Sequence, residues 1–140
     1  YAINPSTGLE AMIIQSDKNL LSPSNSGYKG FNFGSSASFL MGQFEAKTYI
    51  AGSYIQGTSP EQGYVFPTEN IQIEISRNIS SGSDSDGKVK VFIACTGADS
   101  PRPITLVKND KGVWKAFEFS SLMVGVRPMT KKSGPEDGDF

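Results

Sequence analysis

Asn70-Ile71-Gln72-Ile73-Glu74-Ile75-Ser76-Arg77-Asn78-Ile79 and Lys88-Val89-Lys90-Val91-Phe92-Ile93-Ala94-Cys95-Thr96 decide the fold class. In the first stretch, Ile71, Ile73 and Ile75 alternate with Gln72, Glu74 and Ser76, the period of a strand with one buried and one solvated face. In the second, Val89, Val91, Ile93 and Cys95 share a face, and Phe92 and Ala94 add apolar groups to the other. A strand apolar on both sides belongs in the middle of a sheet. The polar link between them, Ser80–Gly87, reads as a flexible connection. Its Asp84-Ser85-Asp86-Gly87 resembles part of a calcium loop, but Cys95 stands where the twelfth position requires a bidentate Glu, so no metal is expected.

Downstream, Gly97–Pro103 is a wide turn into a strand over Pro103–Lys108. Asn109-Asp110-Lys111-Gly112 returns the chain into Val113–Phe119, a hairpin with a four-residue loop ending in Gly. A last extended segment, Leu122–Arg127, stops at Pro128, and residues 129–140 form a hydrophilic tail expected to be flexible. Upstream, Thr7-Gly8-Leu9-Glu10 has the form of a capping box, and Leu9, Met12 and Ile13 fall at helical spacing, predicting a helix over Leu9–Ser16. Leu20-Leu21 are expected to pack beneath a loop over Ser22–Gly27. In Tyr28–Gly34 three aromatics interleave with glycine, a pattern that more often plugs one end of a core than lines a pocket. Ser35 or Ser36 could cap a second helix running through Phe44, and Tyr49–Ile55 reads either as the end of that helix or as a strand.

The expected architecture is one α+β domain over residues 1–128: a curved, mainly antiparallel sheet of about five strands, with two short N-terminal helices on one face. At 140 residues the chain is one domain in size.

Composition removes several function classes. There is no histidine, so no Ser-His-Asp or Cys-His triad and no mixed Cys/His zinc site can be built. The lone Cys95 cannot form an internal disulfide and reads as a small buried hydrophobe. With 13 basic and 14 acidic residues, the chain has no basic excess of the kind nucleic acid requires. Lys131-Lys132 read as part of a solvated tail. No apolar run reaches the roughly 18–20 residues of a membrane span, so a soluble protein is expected. Since the chain begins at Tyr1 rather than Met, an upstream signal peptide, domain or tag is expected, and a cytoplasmic location is the working assumption.

Four residues are candidates for ligand or partner binding: Tyr64, Asp99, Arg102 and Trp114. Asp99 and Arg102 lie in a turn between strands, where a sheet positions functional loops, although pairing with each other as a structural clasp is the favoured reading. Ser120-Ser121 read as a bulge or turn, because serines without a base are weak nucleophiles. Glu118 reads as a solvated carboxylate. No catalytic residue and no cofactor is assigned.

Gly97-Ala98-Asp99-Ser100-Pro101-Arg102-Pro103-Ile104, Gly112-Val113-Trp114-Lys115, Ser120-Ser121-Leu122 and Val124-Gly125-Val126-Arg127-Pro128 resemble an uncharacterised bacterial family, a domain of unknown function. The similarity extends to Lys47–Gly52 and Gly63-Tyr64. A long strand, a Pro-Ile-x-Leu strand and a Gly-x-Trp-Lys return strand also resemble the closing hairpins of the NTF2-like fold, whose members include enzymes, small-molecule binders and association modules. The chain departs from that pattern in its short, glycine-broken helices and in lacking a pocket histidine. A shared fold cannot choose among these functions. The expected function is a non-enzymatic binding or association module, taking a protein partner or a second copy. The alternative is a small-molecule pocket protein or an NTF2-like enzyme that uses a carboxylate.

Overall fold

A computed structural model describes residues 4–130. The elements in chain order are α1 (Pro5–Gln15), β1 (Leu21–Tyr28), β2 (Phe31–Phe33), α2 (Ser35–Ala46), α3 (Tyr49–Gly52), β3 (Ile75–Ser76), β4 (Lys88–Ile93), β5 (Arg102–Lys108) and β6 (Trp114–Glu118). The class is α+β. The strands form two antiparallel sheets, a β1-β2 hairpin and a four-stranded sheet in the order β3-β4-β5-β6, rather than a single sheet of about five. β4 is central as expected, paired along its whole length with β5 from Lys88↔Val107 to Ile93↔Arg102.

The helices start by other means than the expected ones. Asn4 caps α1, its Oδ1 accepting from the Thr7 amide at 3.2 Å, and Pro5 takes the first turn, where its missing N–H costs nothing. The Thr7–Glu10 box therefore lies inside the helix. α2 follows Gly34, which offers no side chain to cap it, and neither Ser35 nor Ser36 does so. Its Ala37, Met41 and Phe44 are buried at i, i+4 and i+7, the stripe of a helix laid on a core. Tyr49–Gly52 resolves as a short helix rather than a strand.

Three other expectations are corrected. The Ser22–Gly27 loop belongs to β1, paired to β2 through Leu21↔Phe33 and Pro23↔Phe31, with a bulge before Tyr28. Loop-forming residues are held extended there because Phe33 anchors the partner strand in the core. Of the strand expected over Asn70–Ile79, only Ile75–Ser76 joins the ladder, and Ile71, Ile73 and Ile75 are 42%, 52% and 59% exposed. Their alternation signals extended backbone, but no element among the described residues lies over that face. The Leu122–Arg127 strand is replaced by a 3₁₀ turn over Ser120–Met123, followed by a segment that buries Val126.

The Ser80–Gly87 link is tied down rather than loose. Ser83 and Asp86 form a capping box, Arg77 pairs with Asp84 at 2.8 Å, and Gly87 supplies the left-handed residue that closes the turn. Lys131-Lys132 and most of the 129–140 tail lie outside the described residues.

The core packs α1, α2, α3 and the Phe119–Val126 segment against one face of the sheet. Gly97 is tightly enclosed in it: an added Cβ would lie 2.3 Å from Tyr64 Oη and 2.8 Å from Val126 Cγ1. Both atoms are buried and cannot retreat. Gly97→Ala is expected to lower stability by about 1–3 kcal/mol, the usual cost of overpacking, as a fall in the urea midpoint at unchanged m-value.

Candidate functional site

The four candidate residues do not converge. Tyr64, Asp99 and Arg102 all meet the segment Gly125–Arg127, whereas Trp114 begins β6 at the far end of the sheet. Arg102 and Lys108 open and close β5, about 20 Å apart at some 3.4 Å per residue, and Trp114 pairs with Lys108.

Each of the first three has a structural partner. Tyr64 is 2% exposed, donates its hydroxyl to the Arg127 carbonyl and stacks on Tyr49 with ring centroids 5.8 Å apart. Its φ of 57° is rare for a bulky residue, and these contacts hold it there. Arg102 donates from Nη2 to the Gly125 carbonyl at 2.8 Å. Asp99 pairs with Arg127 at 2.8 Å, not with Arg102. The clasp is therefore made twice, from the turn to the C-terminal segment. Asp99 is almost fully exposed, so that ion pair adds little stability.

Beneath this clasp lies a buried polar knot. Ser53 is fully buried, its carbonyl accepts from the Thr96 amide at 2.7 Å, and its hydroxyl lies 3.5 Å from Cys95 Sγ. Thr58 and Thr96 hydroxyls meet at 2.8 Å. These groups satisfy one another, and Cys95 is buried among them, in keeping with the reading of a small core residue. Tyr54 donates to the Leu122 carbonyl at 2.6 Å, and burial pushes its phenol well above the usual range.

Two of the surface grooves bear on function. One, of about 470 Å³, lies between the start of α2 and the end of β6, with Phe39, Leu40 and Phe117 on its walls. Glu118 borders it. Hydrogen bonds from Ser120, including its amide at 2.7 Å, hold the Glu118 carboxyl below its ordinary range. A carboxylate kept ionised in this way is a poor general acid near neutrality.

The second groove, of about 520 Å³, gathers lysines that are far apart in sequence. It runs between the end of α1, the β1-β2 hairpin and the β5-β6 loop, and Lys18, Lys29, Lys108, Lys111 and Lys115 line it, against Asp17 and Asp110. Aromatic rings alternate with the charges. Tyr28 and Phe31 lie on the wall, Lys29 stands 5.7 Å over the Tyr28 ring, and Lys108 stands 5.1 Å over Trp114. The two aspartates differ in availability: Asp17 is buried and accepts from the Asn19 amide at 2.9 Å, whereas Asp110 is exposed. Lys115 donates to the Ile14 carbonyl, tying β6 to α1. Of the sequence candidates, only Trp114 borders this groove, through Lys108. The lysines escaped notice because no two are adjacent and the whole chain has no basic excess.

Comparison with known families covers this whole architecture, with a match over residues 1–130. The chain belongs to the family described as a domain of unknown function (DUF6935). The DUF6935 match includes every strand and helix above and all four candidate residues. No curated protein and no solved structure matches the chain.

The buried tyrosines of this DUF6935 domain set its alkaline limit. Burial raises the phenols of Tyr54 and Tyr64 in the folded state, so their contribution is fully present below the unfolded value of about 10 and is lost as pH rises beyond it. The urea midpoint is expected to hold steady through neutrality and to fall above about pH 10. Tyr54→Phe should flatten that fall, while lowering the neutral midpoint by about 1 kcal/mol equivalent for the lost bond to Leu122.

Proposed function

We propose that this domain is a non-enzymatic binding module of a bacterial protein, and that its binding face is the lysine-lined groove. The observation that carries the reading is the gathering of five lysines around one concavity in a chain whose net charge is −1. Like charges repel, so such a cluster is costly to keep unless an anion offsets it. A volume of about 520 Å³ suits a small or chain-like ligand. The flanking Tyr28, Phe31 and Trp114 rings add flat apolar surface, favouring a ligand with ring faces between its charged groups. Phosphate, sulfate or carboxylate groups are the fitting chemistry. Lys18 and Lys111 are exposed, and among the described residues no hydrogen bond holds their ammonium groups, so they are the first donors to such a ligand. Against a carboxylate-driven enzyme stands the state of Glu118, which is stabilised in its charged form.

The test is fluorescence anisotropy with a labelled heparin hexasaccharide, and with inorganic tripolyphosphate as competitor, at two salt concentrations. Binding is expected to weaken as salt rises, because the lysines are exposed. Lys18→Glu combined with Lys111→Glu should weaken it by about tenfold or more, with the thermal midpoint unchanged. Binding that ignores both the salt and the double variant removes the groove as the ligand site.

A further inference from the structure

The two edges of the four-stranded sheet are finished differently. At the β6 edge the end of α1 closes the ladder: Ser16 bridges to Ala116, and the Asp17 amide donates to the Ala116 carbonyl at 2.7 Å. At the β3 edge no element of the described residues pairs with the outer side. The backbone alternation there is fixed by two bonds. The Gln72 carbonyl accepts from the Gln56 amide at 2.9 Å, and the Glu74 carbonyl accepts from the Ala94 amide at 3.0 Å. Even-numbered residues thus point their polar backbone groups into the body, and Ile71, Ile73 and Ile75 point theirs outward.

That open edge is self-complementary. Ile71-Gln72-Ile73-Glu74-Ile75, which begins after the left-handed Asn70 at φ 58°, has its apolar positions disposed symmetrically about Ile73. An antiparallel copy centred on Ile73 places Ile73 against Ile73 and Ile71 against Ile75 twice over. Gln72 then faces Glu74 on the other side. Of the registers that the outward-facing residues allow, only this one pairs all three isoleucines with isoleucines. The stretch lacks the lysines and prolines with which edge strands usually block pairing.

We propose that the β3 edge binds a second copy of this chain, with Ile73 on the two-fold axis, joining two four-stranded sheets into one continuous sheet. The partner is a second copy because the segment matches its own reverse in apolar pattern, isoleucine meeting isoleucine at all three outward-facing positions. This goes beyond the anion groove, which uses none of these residues, so either can fail without the other.

Sedimentation equilibrium on the 140-residue chain tests it. A reversible dimer is expected, and Ile73→Lys should abolish it by setting like charges on the axis. Ile73 is half exposed, so the far-UV spectrum and thermal unfolding of the isolated variant serve as its folding control. The register is read from cross-linking under mild oxidation: Ile73→Cys should form a covalent dimer quickly, and Glu74→Cys should not. A chain that stays monomeric at the highest attainable concentration overturns the proposal and leaves the edge to a different protein. A dimer insensitive to Ile73→Lys, or cross-linking equally at 73 and 74, overturns it too.

Discussion

Where β4 ends, Cys95-Thr96-Gly97 must satisfy three neighbours at once, and the rest of the molecule is arranged around that constraint. The Thr96 amide donates to the Ser53 carbonyl, which fixes α3 against the sheet. Cys95 lies against the Ser53 hydroxyl, and Gly97 passes beneath the Tyr64 ring, where any side chain would collide. The Gly97 carbonyl then accepts from the Arg127 amide at 2.8 Å, which draws in the last described segment. A buried polar group without a partner costs about 1–3 kcal/mol, so the loss of one link in this knot would expose others to the same penalty. The junction explains why Tyr64 keeps a left-handed backbone and why the Gly97–Arg102 turn has little freedom left for binding chemistry.

The proposed binding surfaces accordingly lie at the ends and edges of the sheet. The end of β5 that carries Arg102 is occupied by structural clasps, whereas the opposite end, at the β5-β6 loop, opens onto the lysine groove. The lateral edges differ in the same way. α1 spends its C-terminal backbone closing β6, and the same helix end contributes Ile13, Ser16 and Asp17 to the groove wall. Nothing comparable covers β3 among the described residues. A small domain with one helical layer cannot cover both edges, and the uncovered one retains its isoleucines in the open.

Local signals were legible where backbone pattern and packing agree. The β4 stretch is central because both of its faces are apolar, and the β5-β6 hairpin follows from Asn109–Gly112, where the Asn109 carboxamide accepts from the Lys111 and Val113 amides and Gly112 takes the left-handed turn position. Helix α2 was legible from Phe39, Leu40 and Phe44, although Phe39 proved to be on the open face. The β1 strand was not legible, because Ser, Pro, Asn and Gly predict a loop and only the anchoring of Phe33 overrides them. The isoleucines at 71–75 misled in the opposite sense: alternation reports which residues share a face, not whether another layer covers it. Of the candidate site residues, Asp99 lies in the turn before β5 and Arg102 opens that strand, and their partners come from Arg127 and Gly125, more than twenty positions away.

The sequence by itself determined the α+β class, the single-domain scale, the central strand, the closing hairpin and the absence of any histidine-based chemistry. Each of these depends on residue type and on spacings of a few positions. Only the tertiary structure decided that Lys18 and Lys29 would share a groove with Lys108, Lys111 and Lys115, that Asp99 would face Arg127, and that one sheet edge would be closed and the other left open. Periodicity acts along a few residues of backbone. Charge clusters and covered edges depend on which distant segments the packing of apolar side chains brings together.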